Sequence, residues 1–462
     1  MAESYKQNKM GVMPVGRLVV NMGLPMILSM VIQAVYNIVD SYFVSGIGSV
    51  TGDPLMGDYA VNALTLAFPV QILMIAIGVG TGIGVNAILS KTLGQGNREK
   101  AAVICGNTIF IGICVYLLFL FFGKTGVDFY LGTQTGNEVV LEMARDYLVI
   151  CTEFSFGVIL FMLYEKLLQA TGKTTQSMII QIAGAVINII LDPLLIFGCG
   201  FIPAMGIKGA AYATVIGQIC SFLAGLVLHK IYNSREFNTG VRYVRPDISV
   251  IREIYRIGFP AVIMQALTSV MTYGINIIFG HVSLELVTAY GVYYKIQQFI
   301  FFMAAGMNNA LIPILAFNFG ARNRERIRES IHYGMKYTVI LMIAGTVVLE
   351  IFAKQFIGLF ELTESARILC VTAIRIGVFT YTLTGINVIF QGILQALGEG
   401  MRSMIVAIIR MVVVAFPAAW LFTLTSVPEI TVWLTFPAGE LAGLSLALYY
   451  YRKTKIKKLA EL

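Results

Sequence analysis

Residues 23–44 read GLPMILSMVIQAVYNIVDSYFV, an apolar stretch in which Asp40 is the one charged side chain. A helix of about 20 apolar residues crosses a hydrocarbon core, because its backbone groups hydrogen-bond within the segment. The stretch is therefore predicted to span a membrane as a helix. Residues 1–17 lack the pattern of a cleaved signal peptide, so we expect this span to be retained and the N-terminus to lie in the cytosol.

The whole chain has a composition of the same kind. Hydrophobic residues make up 57% and charged residues 13% of 462 positions, whereas soluble domains average about 45–50% and about 25%. A water-soluble fold is excluded, and because the alternation of barrel strands is absent, the predicted fold class is all-α, a polytopic membrane protein. The net charge of +8 is explained by basic loops and does not indicate a nucleic-acid partner.

Twelve apolar stretches are predicted to span the bilayer. They cover residues 17–47, 59–89, 101–123, 139–169, 174–198, 207–232, 251–280, 287–318, 328–353, 366–396, 402–424 and 431–451. Basic residues gather in alternate loops, at 91–100, 230–256, 322–328 and 452–458. By the positive-inside rule these loops are cytosolic, which places both termini on the inner side of the cytoplasmic membrane and requires an even number of spans.

An internal repeat divides the chain into two halves. The matching segments are Arg17, Gly23 and Pro25 with Arg252, Gly258 and Pro260, residues 94–100 (GQGNREK) with 320–326 (GARNRER), and residues 168–172 (LQATG) with 394–398 (LQALG). The last two pairs share an offset of 226 positions. Each half holds six spans, so both halves have the same orientation and are expected to be related by a pseudo-two-fold axis along the membrane normal.

The repeat predicts an N-lobe at residues 1–234, a cytosolic inter-lobe linker at 235–250 and a C-lobe at 251–462. In the linker region, Pro246 and the apolar residues after it predict a short amphipathic helix on the inner membrane surface. The cleft between the lobes is the expected substrate path.

Ionisable residues inside spans mark candidate functional positions, because burying them costs several kcal/mol. Asp40 lies in span 1, and Asn188 and Asp192 lie four residues apart on one face of span 5. Two carboxylates brought together can share a proton or coordinate Na⁺. The alternative is that both aspartates only accept hydrogen bonds in helix packing. Glu165, followed by Lys166, either adds to this site or forms a local ion pair.

Four further charged residues lie in the spans of the second half, Lys295, Arg375, Arg410 and Glu440. They either bind anionic groups of a substrate or pair with one another. Nucleophilic catalysis is not indicated, because the chain has no Ser/His/Asp or Cys/His arrangement that the sequence brings together.

The chain resembles the multidrug and toxic compound extrusion (MATE) family, in its DinF/MepA-like branch. The similar segments are residues 13–17, 23–40, 94–100, 169–172, 188–193 and 209–214. The resemblance implies a twelve-helix fold of two lobes that alternate access, with proton or sodium antiport of amphiphilic, cationic drugs. It also implies a cation site at Asp40, Asn188, Asp192 and Thr214, with Glu165 at a neighbouring polar position, and a helix bend at Pro25.

The resemblance also locates the coupling site. The NorM-type branch of the family has acidic residues in spans 7 and 10, but the corresponding stretches here, residues 265–268 and 384–387, are uncharged. We therefore expect coupling in the N-lobe. The candidate substrate-cavity residues are Tyr36, Asn37, Gln265 and Lys295.

These observations predict a monomeric antiporter that exports small amphiphilic molecules in exchange for H⁺ or Na⁺, with no other cofactor. A lipid-linked saccharide flippase of the same superfamily is the alternative that Lys295, Arg375 and Arg410 keep open. A membrane-embedded enzyme would need a catalytic constellation, and a plain channel would be insensitive to protonation of Asp40.

Overall fold

A computed structural model describes residues 8–48, 55–200, 202–358 and 362–459. Regular structure in these ranges is helical, apart from one isolated β-bridge between Cys199 and Ile202. The membrane helices are named α1 to α12. They are α1 (Val15–Ser45), α2 (Leu55–Gly94), α3 (Arg98–Thr125), α4a (Glu138–Glu153), α4b (Phe156–Ala170), α5 (Thr174–Ile196), α6 (Ile207–Tyr232), α7 (Ile248–Gly280), α8 (Leu284–Gly320), α9 (Arg324–Ile357), α10 (Glu364–Ala396), α11 (Gly400–Thr423) and α12 (Pro428–Thr454).

Among the described residues, ten helices are long and apolar enough to cross a membrane, and two bent pairs raise the number to as many as twelve. The pairs are α4a with α4b, bent by 47°, and the two parts of α10, Glu364–Val378 and Thr380–Ala396, bent by 53°. The predicted all-α polytopic fold is confirmed. Neither bend was predicted, since no proline lies at either break and the apolar pattern continues through both.

The predicted surface helix after Pro246 is wrong. Residues 248–255 form the first turns of α7, which continues to Gly280 without interruption. Asp247 caps this helix, because its Oδ1 accepts hydrogen bonds from the backbone N–H groups of Ser249 and Val250. α7 stays helical through Pro260, so residues 248–255 belong to this long helix and do not form a separate short one.

The internal repeat is visible in the backbone. Equivalent positions 226 residues apart share a left-handed conformation or a capping role, namely Gly96 (φ 74°) and Arg322 (φ 57°), Gly172 (φ 82°) and Gly398 (φ 77°), and Asn97 and Asn323. Both asparagines accept a backbone hydrogen bond from the first turn of the helix that follows, α3 or α9. Arg322 thus adopts a backbone conformation that favours glycine. The equivalent turn in the first half of the chain has a glycine, Gly96, at this position.

The chain forms two compact units. The N-unit comprises Ile32–Leu89 and Asn97–Ile254, and the C-unit comprises Met1–Val31, Ser90–Gly96 and Tyr255–Leu462. Each unit has its own apolar core. The first half of α1 therefore belongs to the C-unit and its second half, with Asp40, to the N-unit. The lobe boundaries drawn from the repeat, 1–234 and 251–462, stay a prediction.

A buried ion pair lies in the C-unit. Arg410, in a π-helical segment of α11 (Ile409–Val414), lies 3.1 Å from Oε1 and 3.2 Å from Oε2 of Glu440 on α12. Both residues are at most 9% exposed. Thr384 and Asn387 of α10 donate further hydrogen bonds to the same carboxylate, at 2.8 and 2.6 Å. The carboxylate is therefore neutralised and surrounded by donors.

Arg375 is also paired. Its Nε lies 3.7 Å from Oε1 of Glu350, at a more exposed position than the Arg410 pair. Pairing of the four residues with one another, one of the two readings that the sequence allowed, is what the structure contains for Arg410 and Glu440. Arg375 pairs instead with Glu350, which is not one of the four.

Candidate cation-coupling site

Glycines bring α5 and α6 into close contact. A Cβ on Gly217 would lie 2.7 Å from the carbonyl oxygen of Gly184 and 3.2 Å from Cβ of Asn188. A Cβ on Gly184 would overlap Oγ of Ser221, which itself donates a 2.8 Å hydrogen bond to the carbonyl oxygen of Ile180. Small residues at such contacts allow backbones in a membrane to approach closely. The approach places the polar face of α5 directly against α6.

Asn188, Asp192 and Thr214 meet at this contact. All three side chains are buried, and Asp192 is 0% exposed. With the amide of Asn188 oriented to satisfy both neighbours, its Nδ2 donates to Oδ2 of Asp192 at 2.9 Å, and its Oδ1 accepts from the backbone N–H of Thr214 at 3.0 Å. Asn188 therefore donates a hydrogen bond that orients the carboxylate of Asp192, and the backbone N–H of Thr214 in turn orients the amide of Asn188.

Asp40 of α1 is part of the same site. Its carboxylate is close enough to Asp192 for the two charges to interact. Among the described residues, no hydrogen-bond partner reaches the buried Oδ1 of Asp40. Tyr36, one turn earlier, lies within electrostatic reach of both aspartates and within hydrogen-bonding reach of the side chain of Thr214. The structure thus brings together five of the residues that the sequence singled out.

Three further residues border the site. Nε2 of Gln71 on α2 donates to the hydroxyl of Tyr147 at 3.2 Å and contacts Sγ of Cys151 at 3.9 Å, both on α4a. Tyr147 and Cys151 each lie within electrostatic reach of Asp40. Sequence reasoning missed them. Gln71 is a polar residue inside an apolar span, and that signal could have identified it.

Glu165 lies in a separate buried cluster. Its Oε1 accepts a 2.5 Å hydrogen bond from Nε2 of Gln169, whose Oε1 accepts from Nζ of Lys166 at 3.0 Å. Gln169 also donates to Oγ of Ser177 at 3.0 Å, and a Cβ on Gly82 would lie 2.5 Å from Cγ of Lys166. Glu165 and Lys166 are thus linked through Gln169 and interact electrostatically, and the role of Glu165 in coupling stays a prediction.

The remaining candidates are more dispersed. Pro25 lies inside α1, which runs through it as one helix. Asn37 is exposed and accepts from Gln33 at 3.4 Å. Gln265 on α7 and Lys295 on α8 are exposed side chains of the C-unit. Their assignment to a substrate cavity stays a prediction.

We expect Gly217→Val to abolish transport while the protein still folds. The added side chain meets Gly184 and Asn188, so α5 must move away from α6, and the hydrogen bonds between Asn188 and Thr214 are lost. Overpacking of this kind costs about 1–3 kcal/mol. Transport by the purified, reconstituted variant is the measurement. Gly291→Val on α8 is the matched control, because nothing lies within 4 Å of a Cβ there; equal activity of the two variants would contradict the expectation.

Comparison with known proteins decides the family. The MatE family model matches residues 25–194 and 260–421, one segment in each half of the chain and more than two thirds of its length. The chain belongs to the MatE family. Members of this family are transporters, so the protein is a membrane transporter and not an enzyme.

Two curated relatives of this MatE family chain match it over most of their length. Multidrug export protein MepA of Staphylococcus aureus (strain MRSA252) is 25% identical over 441 residues, which are 95% of this chain and 94% of that protein. A protein named FAD transporter, of Shewanella oneidensis, is 25% identical over 410 residues, 88% of each chain.

A solved structure has the same fold. It is described as the outward-facing conformation of a multidrug resistance MATE family transporter of the MOP superfamily, and it superposes with a TM-score of 0.90 at 21% identity, over 100% of this chain and 98% of that chain. The predicted MATE resemblance is confirmed by the family model and by these relatives.

Proposed function

We propose that this MatE family protein is a secondary antiporter, which exports small amphiphilic, mainly cationic molecules in exchange for H⁺ or Na⁺. The observation that carries the proposal is that Asp40 and Asp192, both inside apolar helices, lie within electrostatic reach of each other. Two interacting carboxylates in a low-dielectric site each disfavour the charge of the other, so a shared proton or a bound cation stabilises the pair. A site of this kind changes its charge when it binds or releases a proton or a metal cation.

The donor set fits either coupling ion. Carboxylate and hydroxyl oxygens, from Asp40, Asp192 and Tyr36, are hard ligands that suit Na⁺ as well as a shared proton. Asn188 donates its N–H to Asp192, so it holds the carboxylate in place in both cases. We infer no organic cofactor.

Coupling follows from a difference in affinity between two states. A ligand shifts a conformational equilibrium only by its differential affinity for the two conformations. In the proposed cycle, a cation bound at Asp40 and Asp192 from outside favours substrate release to the outside, and loss of the cation to the cytosol restores substrate affinity. Alternating access of the two lobes then moves substrate and cation in opposite directions.

The name of one relative and the arginine pairs in the second half of the chain favour drug export over a lipid-linked saccharide flippase. MepA carries the name of a multidrug export protein. A flippase for lipid-linked saccharides needs free cationic groups, but Arg410 is paired with Glu440 and Arg375 with Glu350. The carboxylate of Glu440 is neutralised by Arg410, whereas in the described part of the chain no lysine or arginine forms an ion pair with Asp40 or Asp192. We therefore place coupling in the N-unit.

The proposal includes location and assembly. Basic loops follow the positive-inside rule, so we place the protein in the cytoplasmic membrane with both termini in the cytosol. We propose that it acts as a monomer, because each chain would contain a complete cation site.

The experiment is transport by the purified protein in liposomes, with an imposed proton gradient in one arm and an imposed sodium gradient in the other. We expect one gradient, and not both, to drive movement of a cationic dye against its concentration. Because one relative is named as an FAD transporter, flavin adenine dinucleotide is the second cargo tested. Flavin movement without dye movement would contradict the cationic substrate class, and movement of neither cargo under either gradient would contradict antiport.

A further inference from the structure

The segment that joins α6 to α7 is anchored to α3. The backbone N–H of Asp247 donates a 2.8 Å hydrogen bond to Oδ1 of Asn107, and the backbone of Tyr243 lies where a Cβ on Gly106 would be. Two short 3₁₀ turns, Asn233–Arg235 and Val241–Tyr243, shape the chain between the helices. The segment is thus a folded part of the N-unit and holds its side chains in defined positions.

An open cavity of about 540 Å³ lies against this segment. Its lining comprises Val103, Arg242, Tyr243, Arg245, Pro246, Asp247, Ile248 and Ser249. Two arginines on one short segment give the cavity a basic rim. One carboxylate, that of Asp247, is also in the lining.

The nearby carboxylates are engaged elsewhere. Asp247 accepts hydrogen bonds from the first turn of α7. Oε2 of Glu253 lies 2.8 Å from Nζ of Lys100, and Oε1 of Glu236 lies 3.7 Å from Nζ of Lys173. In the described part of the chain, no carboxylate lies within 4.0 Å of the guanidinium groups of Arg242 or Arg245.

Arg242 is held in place without being neutralised. Its guanidinium lies 4.8 Å from the centroid of the Tyr243 ring and donates a 2.8 Å hydrogen bond to the hydroxyl of that residue. These contacts fix the direction of the side chain, while its positive charge stays available for an anion.

Large apolar side chains flank the same rim. Val241 is 85% exposed and Ile248 is 74% exposed. Ile248 is the first residue of α7, a helix long and apolar enough to cross a membrane, and Val241 precedes it by seven residues. A surface that combines exposed aliphatic side chains with arginines that have no carboxylate partner among the described residues fits a molecule with an anionic head and a hydrocarbon tail.

We propose that this cavity binds the head group of an anionic phospholipid of the inner leaflet. The phosphate contacts Arg242 and Arg245, and the acyl chains run along Val241 and Ile248. This site is independent of the cation site at Asp40. Through this site, an anionic lipid of the membrane contacts the segment between α6 and α7 directly.

The test uses the full-length protein in detergent, titrated with phosphatidylglycerol or phosphatidylcholine, with bound lipids counted by native mass spectrometry. We expect the double variant Arg242→Gln/Arg245→Gln to weaken phosphatidylglycerol binding about 30-fold. The reason is that this variant removes two basic residues, each of which contributes about 1 kcal/mol to the attraction of an anionic lipid. Arg324→Gln/Arg328→Gln, two exposed arginines at the start of α9, removes the same charge and is the matched control. Equal loss in both double variants would mean general charge attraction and would overturn the site.

A second arm separates lipid from a soluble phosphate compound. Val241→Ser/Ile248→Ser is expected to weaken phosphatidylglycerol binding while both arginines are intact. Glycerol phosphate, which has the head group without acyl chains, is expected not to displace the lipid at millimolar concentration. Displacement by glycerol phosphate, or full lipid binding by the serine variant, would overturn a lipid site in favour of a soluble anion site.

Discussion

Asp40→Asn is expected to reduce gradient-driven dye transport to the level of protein-free liposomes. The amide keeps the shape of the side chain but can neither share a proton with Asp192 nor contribute a charge to a bound cation. Without a change of charge at this site, the driving ion no longer distinguishes the two states of the carrier, so its gradient does no work on the substrate. The measurement is the initial rate of dye transport under the gradient that drives the wild type.

A matched variant shows whether the effect belongs to the site. Asp58→Asn removes an exposed carboxylate near the start of α2 and is expected to transport at the wild-type rate. Both variants should elute as the wild type does in size-exclusion chromatography. Full transport by Asp40→Asn would remove Asp40 from the coupling mechanism, whereas loss in Asp58→Asn as well would point to a general effect of charge.

Glu440→Gln is expected to lower stability by about 3–5 kcal/mol, which is the cost of removing one partner from a buried ion pair. Arg410 would remain charged at a position 8% exposed, without the carboxylate that neutralises it. Thr384 and Asn387 would in addition lose a charged acceptor. The melting temperature of the purified variant and its yield from membranes are the measurements.

Two control variants make this prediction specific to the pair. Replacing both residues, as Arg410→Met/Glu440→Gln, is expected to recover most of the stability, because no unpaired charge remains. Glu350→Gln breaks the more exposed pair with Arg375 and is expected to change stability by about 1 kcal/mol or less. A melting temperature of Glu440→Gln equal to that of the wild type would show that Arg410 finds another partner.

Hydropathy and the repeat predicted the helices well, because each span must satisfy its backbone internally and therefore leaves a long apolar signature in the sequence. The start of α6 at Ile207 and the end of α7 at Gly280 agree with the predicted positions. The turn around Arg322 could be anticipated from its counterpart at Gly96, since both halves repeat the same local sequence. The bends of α4 and α10 left no such signature, because their apolar pattern is continuous.

Only part of the membership of the candidate site was predictable. An ionisable residue in an apolar span is conspicuous in the sequence, so Asp40 and Asp192 could be identified there. Gln71 has the weaker signal of a polar residue in an apolar span, which does not place it beside Asp40. Glu165 has the same signal as Asp40, yet the structure surrounds it with Gln169 and Lys166.

The sequence by itself therefore determined the type and approximate limits of the membrane helices, the repeat and the set of charged residues inside the spans. Only the tertiary structure decided which of these charges are neutralised, as Glu440 is by Arg410, and which lie within electrostatic reach of each other without a lysine or arginine partner in the described part of the chain, as Asp40 and Asp192 do. The physical reason is the distance along the chain between the residues that determine each property. Burial of the backbone and of apolar side chains is a property of each segment, whereas the partner of a buried charge lies on another helix, far away in the chain, and is fixed only when the helices pack.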